Sequence, residues 1–205
     1  MASEEKLVRE PGTWRGRETK ARIVAVAAEL MHVRGVGATS VDDVLSASGT
    51  GKSQLYHYFS SKDDLVAAVL RHQLERVLGD LGRFDIGTWD GIRGWLDSML
   101  EDQRERGFHG GCPLGSLVAE IAESHDRLRM VAADAFIRWE DGLAAGLRVL
   151  QERGELRGDA EPERLAEAAM ASIQGGYLLS TTKREARPMR VALDAAFERI
   201  RSQTS

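Results

Sequence analysis

Proline occurs only four times in 205 residues, at 11, 113, 162 and 188, and each falls where an apolar helical pattern begins or pauses. A proline inside a helix removes a backbone donor and clashes with the preceding turn, so this placement leaves long tracts free to be helical. Those tracts are rich in Ala, Leu, Glu and Arg and poor in Thr and Ile. None shows the sustained alternation of a strand with a hairpin partner. The chain is expected to be all-α.

The apolar spacing resolves this into segments. A first helix is expected from about Arg17 to Arg34, with Ile23, Ala27, Leu30 and Met31 on one stripe and Gly35 and Gly37 ending it. A very short helix follows, opened by Ser40 with Asp43 three residues on and stopped at Ser48-Gly49. A third, equally short, runs from about Lys52 to Phe59. Ser60 and Ser61 are candidate caps for a long fourth helix with Leu70, Leu74, Val77, Leu78 and Leu81 on its stripe. Ile92, Trp95, Leu96, Met99 and Leu100 mark a fifth. After the glycine-rich break RGFHGGCPLG at 106–115, Leu117, Val118 and Ile121 resume the pattern, and a long amphipathic helix is expected over about 127–153. The last two are predicted over 162–183 and from Pro188 to about Arg201, the latter with Met189, Leu193, Ala196, Phe197 and Ile200 on one face.

Composition narrows the function classes. With 42% hydrophobic and 29% charged residues, both signs interspersed, the chain is expected to be soluble and globular. No uncharged stretch reaches the ~18 apolar residues of a spanning helix, and MASEEKLVRE holds no signal-peptide run, so a cytoplasmic protein without membrane attachment is expected. The single cysteine, Cys112, can form neither an internal disulfide nor a thiolate zinc cluster, and its expected role is packing beside Pro113. No zinc-spaced histidine pair, nucleophile elbow or distinct carboxylate cluster is present, so no catalytic residue, metal or cofactor is expected. GTGKS at 49–53 imitates a phosphate loop, but Ser46 stands where its first glycine belongs and a helical pattern precedes it instead of a strand. The net charge is −4, yet residues 1–62 carry nine Lys and Arg against seven Asp and Glu, so the amino-terminal part is the more basic.

Two short helices joined by a glycine-bearing turn, beside a longer first helix, match a DNA-reading helix-turn-helix. With side chains at ~100° intervals, Leu55 and Phe59 of the third helix point one way, and Lys52, Ser53, Gln54, Tyr56 and His57 form a polar arc opposite. Lys52 and Lys62 each sit at the positive end of a helix dipole, an arrangement a bound phosphate relieves. Lys52, Lys62 and the Tyr56 hydroxyl are therefore expected on the DNA backbone, and Ser53, Gln54 and His57 on base edges in the major groove. A helical adaptor without DNA binding is the alternative, but it leaves that arc unexplained.

The segment ARIVAVAAELMHVRGVGATSVDDVLSASGTGKSQLYHYFSSKDDLVAAVL, residues 21–70, resembles the TetR family of bacterial transcriptional regulators, through Gly35, Thr39, Val44, Gly49, Lys52, Leu55, Tyr56, Phe59, Lys62 and Leu65. GCPLG with the following SLVAE, residues 111–120, resembles the carboxy-terminal domain of the LmrA and YxaF subgroup. The resemblance implies a helix-turn-helix domain over 15–62 and a helical effector-binding and dimerisation domain over 63–203. It adds Thr39, with its neighbour Ser40, to the expected DNA contacts. Gly51 stands where relatives usually carry a capping Ser or Thr.

The implied function is a repressor that binds a palindromic double-stranded DNA operator as a homodimer and is released by a small hydrophobic effector. Trp95, Met99, Phe108, Leu114, Val118, Phe136, Trp139 and Tyr177, with Gln174 as a polar fixing group, are the expected effector-binding residues. Ala168, Ser172 and Gly175, with Gly176 also permitting close approach, and the stripe Met189, Leu193, Ala196, Phe197 and Ile200 are the expected dimer interface.

Overall fold

The computed structural model describes residues 11–123 and 125–204; MASEEKLVRE, read above for a leader, lies outside them. Among the described residues the structure consists of nine helices, α1 (Trp14–Arg34), α2 (Val41–Ser48), α3 (Lys52–Tyr58), α4 (Lys62–Leu81), α5 (Trp89–Glu105), α6 (Gly115–Ile121), α7 (Asp126–Glu152), α8 (Pro162–Lys183) and α9 (Ala186–Arg201). The only β pairing among them is an isolated bridge between Leu156 and Thr204. The helices group into two compact units. One holds 11–73 with 117–132, the other 74–116 with 133–204.

In the first unit, α1 begins three residues earlier than its apolar stripe suggests, because the Thr13 hydroxyl accepts the Gly16 N–H at 3.1 Å and caps the helix there. It ends at Gly35, whose φ of 92° is open to glycine and strained for other residues. Ile23, Ala27 and Met31 bury one face of α1, which packs on α2 and α3. The Ser40–Asp43 capping box forms as the spacing predicts, with the Ser40 hydroxyl accepting the Asp43 N–H and the Asp43 carboxylate accepting the Ser40 N–H. The Ser40 hydroxyl also donates to the Asp43 carboxylate, and this bond, with that from the Ser40 N–H and the nearby Arg34, holds the Asp43 carboxyl below the usual carboxylate range. Gly49 ends α2 in the left-handed conformation. At the start of α4 the pattern repeats: the Asp64 N–H donates to the Ser61 hydroxyl, and Asp64 accepts the Ser60 N–H, both at 3.1 Å.

The later segments of this unit hold the helix-turn-helix from outside. From α6, Glu120 accepts the Gly37 N–H at 3.0 Å, and from α7, Arg127 donates to Asp64 at 2.8 Å. These contacts fix the α1–α2 turn and the start of α4, the segments that flank the two short helices.

In the second unit, α9 packs along α8 and against α5. Gly176 permits the approach: a Cβ there would lie 2.8 Å from the Ala192 Cβ and 2.9 Å from the Met189 sulfur. Met189, Leu193, Ala196 and Ile200 are all buried, with Met189 and Leu193 fully so. Burying a Leu- or Met-sized side chain stabilises by about 1.5–3 kcal/mol. Arg93 of α5 braces the same region, bridging Asp97 and Asp194, with its guanidinium over the Phe197 ring at 5.6 Å.

Candidate functional site

Helix α3 is anchored from one side. Leu55 is 1% exposed, Tyr58 7%, and Phe59 at the carboxy-terminal end is fully buried. Seven residues are too few to be a stable helix in isolation, so this burial is what holds α3 in shape. Its other face is bare: Lys52, Ser53, Gln54, Tyr56 and His57 are all exposed. The Tyr56 ring is 46% exposed, unusual for a large aromatic without a partner surface. The His57 ring sits edge-on to Tyr58, 5.2 Å between centroids. Gly51 is the N-cap and supplies no side-chain bond, so the amino-terminal N–H groups of α3 lack that satisfaction.

Three of the expected DNA contacts are placed otherwise. Thr39 is fully buried and its hydroxyl donates to the Gly35 carbonyl at 2.8 Å; it closes the α1–α2 turn and has no surface to offer. Ser40 is exposed, but its hydroxyl is occupied by Asp43. The Lys62 ammonium donates to the Val36 carbonyl at 2.7 Å, so one of its three donors fastens the same turn to the start of α4. A hydroxyl one turn after a glycine signals such a loop closure as readily as a phosphate contact, and nothing local in the sequence separates the two.

In the second unit a cavity of about 40 Å³ brings together Trp95, Met99, Trp139 and Tyr177 from the expected effector set. Sequence reasoning missed the charged part of its lining, Arg76 and Asp80 of α4, Asp102 of α5 and Arg106. These read as ordinary solvated positions, and Arg76 and Asp102 do remain exposed; a charge pattern along one helix does not reveal which other elements stand beside it. The volume holds a few waters and falls far below the ~300–1,000 Å³ of a drug-sized ligand site. Phe136 stands behind the wall, stacked on Trp139 at 6.3 Å, and Leu114 is fully buried. Phe108 is half-buried with a left-handed φ of 60° and does not line the cavity, and Val118 belongs to the first unit. Gln174 is turned to sulfur, donating to Cys112 at 3.5 Å and Met170 at 3.6 Å. Cys112 is buried, and burial pushes its thiol pKa up, which keeps it protonated and unreactive.

The residues expected at a dimer surface are divided between the interior of the chain and its exterior. Met189, Leu193, Ala196 and Ile200 are spent inside the chain, and Phe197 packs its edge on Trp89 at 6.4 Å. The outward faces of α8 and α9 instead expose Leu178 (67%), Leu179 (47%) and Val191 (60%), beside half-buried Ala168, Ser172 and Gly175. Ser172, Gly175 and Leu179 follow one another at i, i+3 and i+7, a second and weaker stripe that was legible in the sequence.

Comparison with known proteins then decides the family. Residues 88–195, more than half of the chain, match the family model for the carboxy-terminal domain of LmrA/YxaF-like transcriptional regulators, and residues 23–69 match that of bacterial regulatory proteins of the tetR family. The chain belongs to the TetR family. Its relatives include a helix-turn-helix transcriptional regulator from the lacX 3' region of Lactococcus lactis, 29% identical over 167 residues, covering 80% of this chain and 83% of that one. The transcriptional repressor DhaR of Mycobacterium sp. strain GP1 is 23% identical over 189 residues, 90% of this chain and 93% of its own. A TetR transcriptional regulator of Chloroflexus aurantiacus superposes with a TM-score of 0.79 at 27% identity, covering 94% of this chain and 98% of that one. The protein is thus a TetR-family transcriptional regulator, and the family and these relatives are regulators rather than enzymes. Among the described residues no helix is long and apolar enough to cross a membrane.

Proposed function

We propose that this regulator is a repressor that binds a palindromic DNA operator as a homodimer and leaves it when a small effector occupies the second unit. The observation that carries the reading is the division of α3: Leu55, Tyr58 and Phe59 hold it from within, while Lys52, Ser53, Gln54, Tyr56 and His57 stand exposed on one short helix. Lys52, the Tyr56 hydroxyl and the uncapped N–H groups at Gly51 suit phosphate oxygens, and Ser53, Gln54 and His57 suit base edges. Lys62 acts chiefly by positioning the turn that supports α3, with two donors left for a phosphate.

One short helix buries little surface, so useful specificity calls for two copies reading major grooves about 34 Å or a multiple apart. The exposed faces of α8 and α9 at Leu178, Leu179 and Val191 supply a self-complementary apolar surface for that pairing. α4 contributes both Lys62 and the cavity residues Arg76, Val77 and Asp80, so an effector that opens the cavity shifts α4 and with it the spacing of the two recognition helices. Linkage then requires DNA to weaken effector binding by the same factor as the effector weakens DNA binding. Selection of genomic fragments by the purified protein, followed by sedimentation of protein and complex, tests the reading. Two half-sites bound by two chains are expected; a monomer at micromolar concentration bound to a single half-site contradicts it.

A further inference from the structure

The segment WRGRETKAR, residues 14–22, carries four Arg and Lys against one Glu in a chain whose net charge is −4. It opens α1, ahead of residues 23–69, the stretch that follows the tetR-family pattern. The first turn of α1 holds no acidic residue, although the positive end of a helix dipole favours one. Arg15 and Arg17 stand there instead, both exposed. The Arg15 guanidinium lies 5.6 Å from the centroid of the Trp14 ring, and that of Arg17 donates to the Pro11 carbonyl at 3.4 Å. Neither meets a carboxylate among the described residues. Two cations so placed oppose the stability of α1, so stability does not explain them. Trp14 is itself 63% exposed, whereas Trp95 and Trp139 are buried. An indole left in water under a guanidinium is a contact surface in want of a partner.

The position of the segment says which partner. A Cβ on Gly16 would stand 3.5 Å from the Tyr58 hydroxyl, so the first turn of α1 lies against the carboxy-terminal end of α3. The Tyr58 ring in turn has the His57 ring beside it. Trp14, Arg15 and Arg17 flank that point and continue the exposed Lys52–His57 face beyond the end of α3.

Resting on the reading of that face as the DNA-reading surface, we propose that the first turn of α1 is a second DNA contact. Arg15 and Arg17 take phosphate oxygens on the strand bordering the groove that α3 enters, and the Trp14 indole packs on the deoxyribose between those phosphates. The contact falls on the backbone, so it adds affinity and fixes how α3 sits in the groove without reading bases. It lies outside the base pairs that Ser53, Gln54 and His57 reach, which makes each half-site longer than α3 alone requires. Trp14 by itself would suit any apolar partner; with two guanidinium groups, and beside α3, it suits a sugar-phosphate chain.

The test uses the full-length protein and two labelled duplexes, a selected genomic fragment and the same site trimmed to the base pairs that α3 spans. Binding is followed by fluorescence anisotropy between about 50 and 200 mM salt. On the long duplex, the double variant Arg15→Ala, Arg17→Ala is expected to lower the slope of log affinity against log salt by about two. Trp14→Ala is expected to weaken binding there about tenfold. On the trimmed duplex the wild type itself binds more weakly, and both variants should match it within about twofold. Melting temperatures should stay within about two degrees of the wild type, since all three side chains are exposed. Wild-type affinity and slope in both variants on the long duplex overturn the inference and leave the reading of α3 standing. Equal losses on the two duplexes also overturn it, because the segment then acts through its packing on Tyr58 and not by touching DNA. A Trp14→Ala variant that melts several degrees lower overturns the role given to the indole. If the wild type selects no fragment at all, the reading of α3 falls and this inference with it.

Discussion

On α3 the side chains Lys52, Ser53, Gln54, Tyr56 and His57 face solvent while Leu55 and Tyr58 are buried; on α9 Met189, Leu193, Ala196 and Ile200 are buried while Val191 is 60% exposed. Both helices sort their residues by face, but the sorting carries different information. An apolar stripe such as that of α9 states that something covers it without naming what, and here the chain's own α5 and α8 do so. A polar set that includes a half-exposed tyrosine, on a helix too short to stand alone, is more restrictive. Its buried residues fix the helix, and its exposed ones have no structural reason to be that particular group.

The largest expected effect separates these two cases. Leu193→Ala removes a fully buried side chain from the α8–α9 packing and is expected to cost about 2–5 kcal/mol in denaturant unfolding, independent of protein concentration. A cost that vanishes on dilution would return the α9 stripe to an interface between chains. On α3, Gln54→Ala should change preference among operator variants by about 1–3 kcal/mol at the base pair it reads, while Tyr56→Phe weakens all sequences alike and lowers the salt slope. Uniform loss from Gln54→Ala would exchange the two roles.

A smaller effect distinguishes a contact from a brace. Lys62→Ala removes a charge-assisted hydrogen bond to the Val36 carbonyl at a half-buried site and is expected to cost about 1.5 kcal/mol of stability. Lys52→Ala, fully on the surface, should stay within about 0.5 kcal/mol while reducing the salt slope by about one. If Lys62→Ala left stability untouched and Lys52→Ala lowered it, the roles assigned to the two lysines would be reversed. The smallest effect on stability is that of Val191→Asp, again within about 0.5 kcal/mol. Its expected consequence appears in sedimentation, as a shift from dimer to monomer.

The helical architecture was legible throughout, because caps and breakers sit at the helix ends: the Ser40–Asp43 box, Gly49, Pro162 and the glycines before α6 each mark a boundary found in the structure. So was the exposed arc of α3. Long-range partners were not. That Thr39 closes onto Gly35, that Lys62 reaches Val36, and that Glu120 takes the Gly37 N–H all depend on how the chain returns on itself. The charged cavity residues Arg76, Asp80, Asp102 and Arg106 were invisible for the same reason: the local pattern treats each as solvated, three on helices and Arg106 just past the end of α5. Trp139 was singled out for its apolar bulk; that its buried indole N–H has no acceptor among the described residues is a property of the packed fold alone.

Hydroxyl-radical footprinting of a selected genomic fragment, with the wild type and the triple variant Lys52→Ala, Gln54→Ala, Tyr56→Phe, tests the role of the α3 face most directly. The wild type should protect two patches about one helical turn (~34 Å) or a multiple apart, and the triple variant, still folded and of unchanged oligomeric state, should protect neither. Protection that survives all three substitutions would show that DNA is held by some other surface.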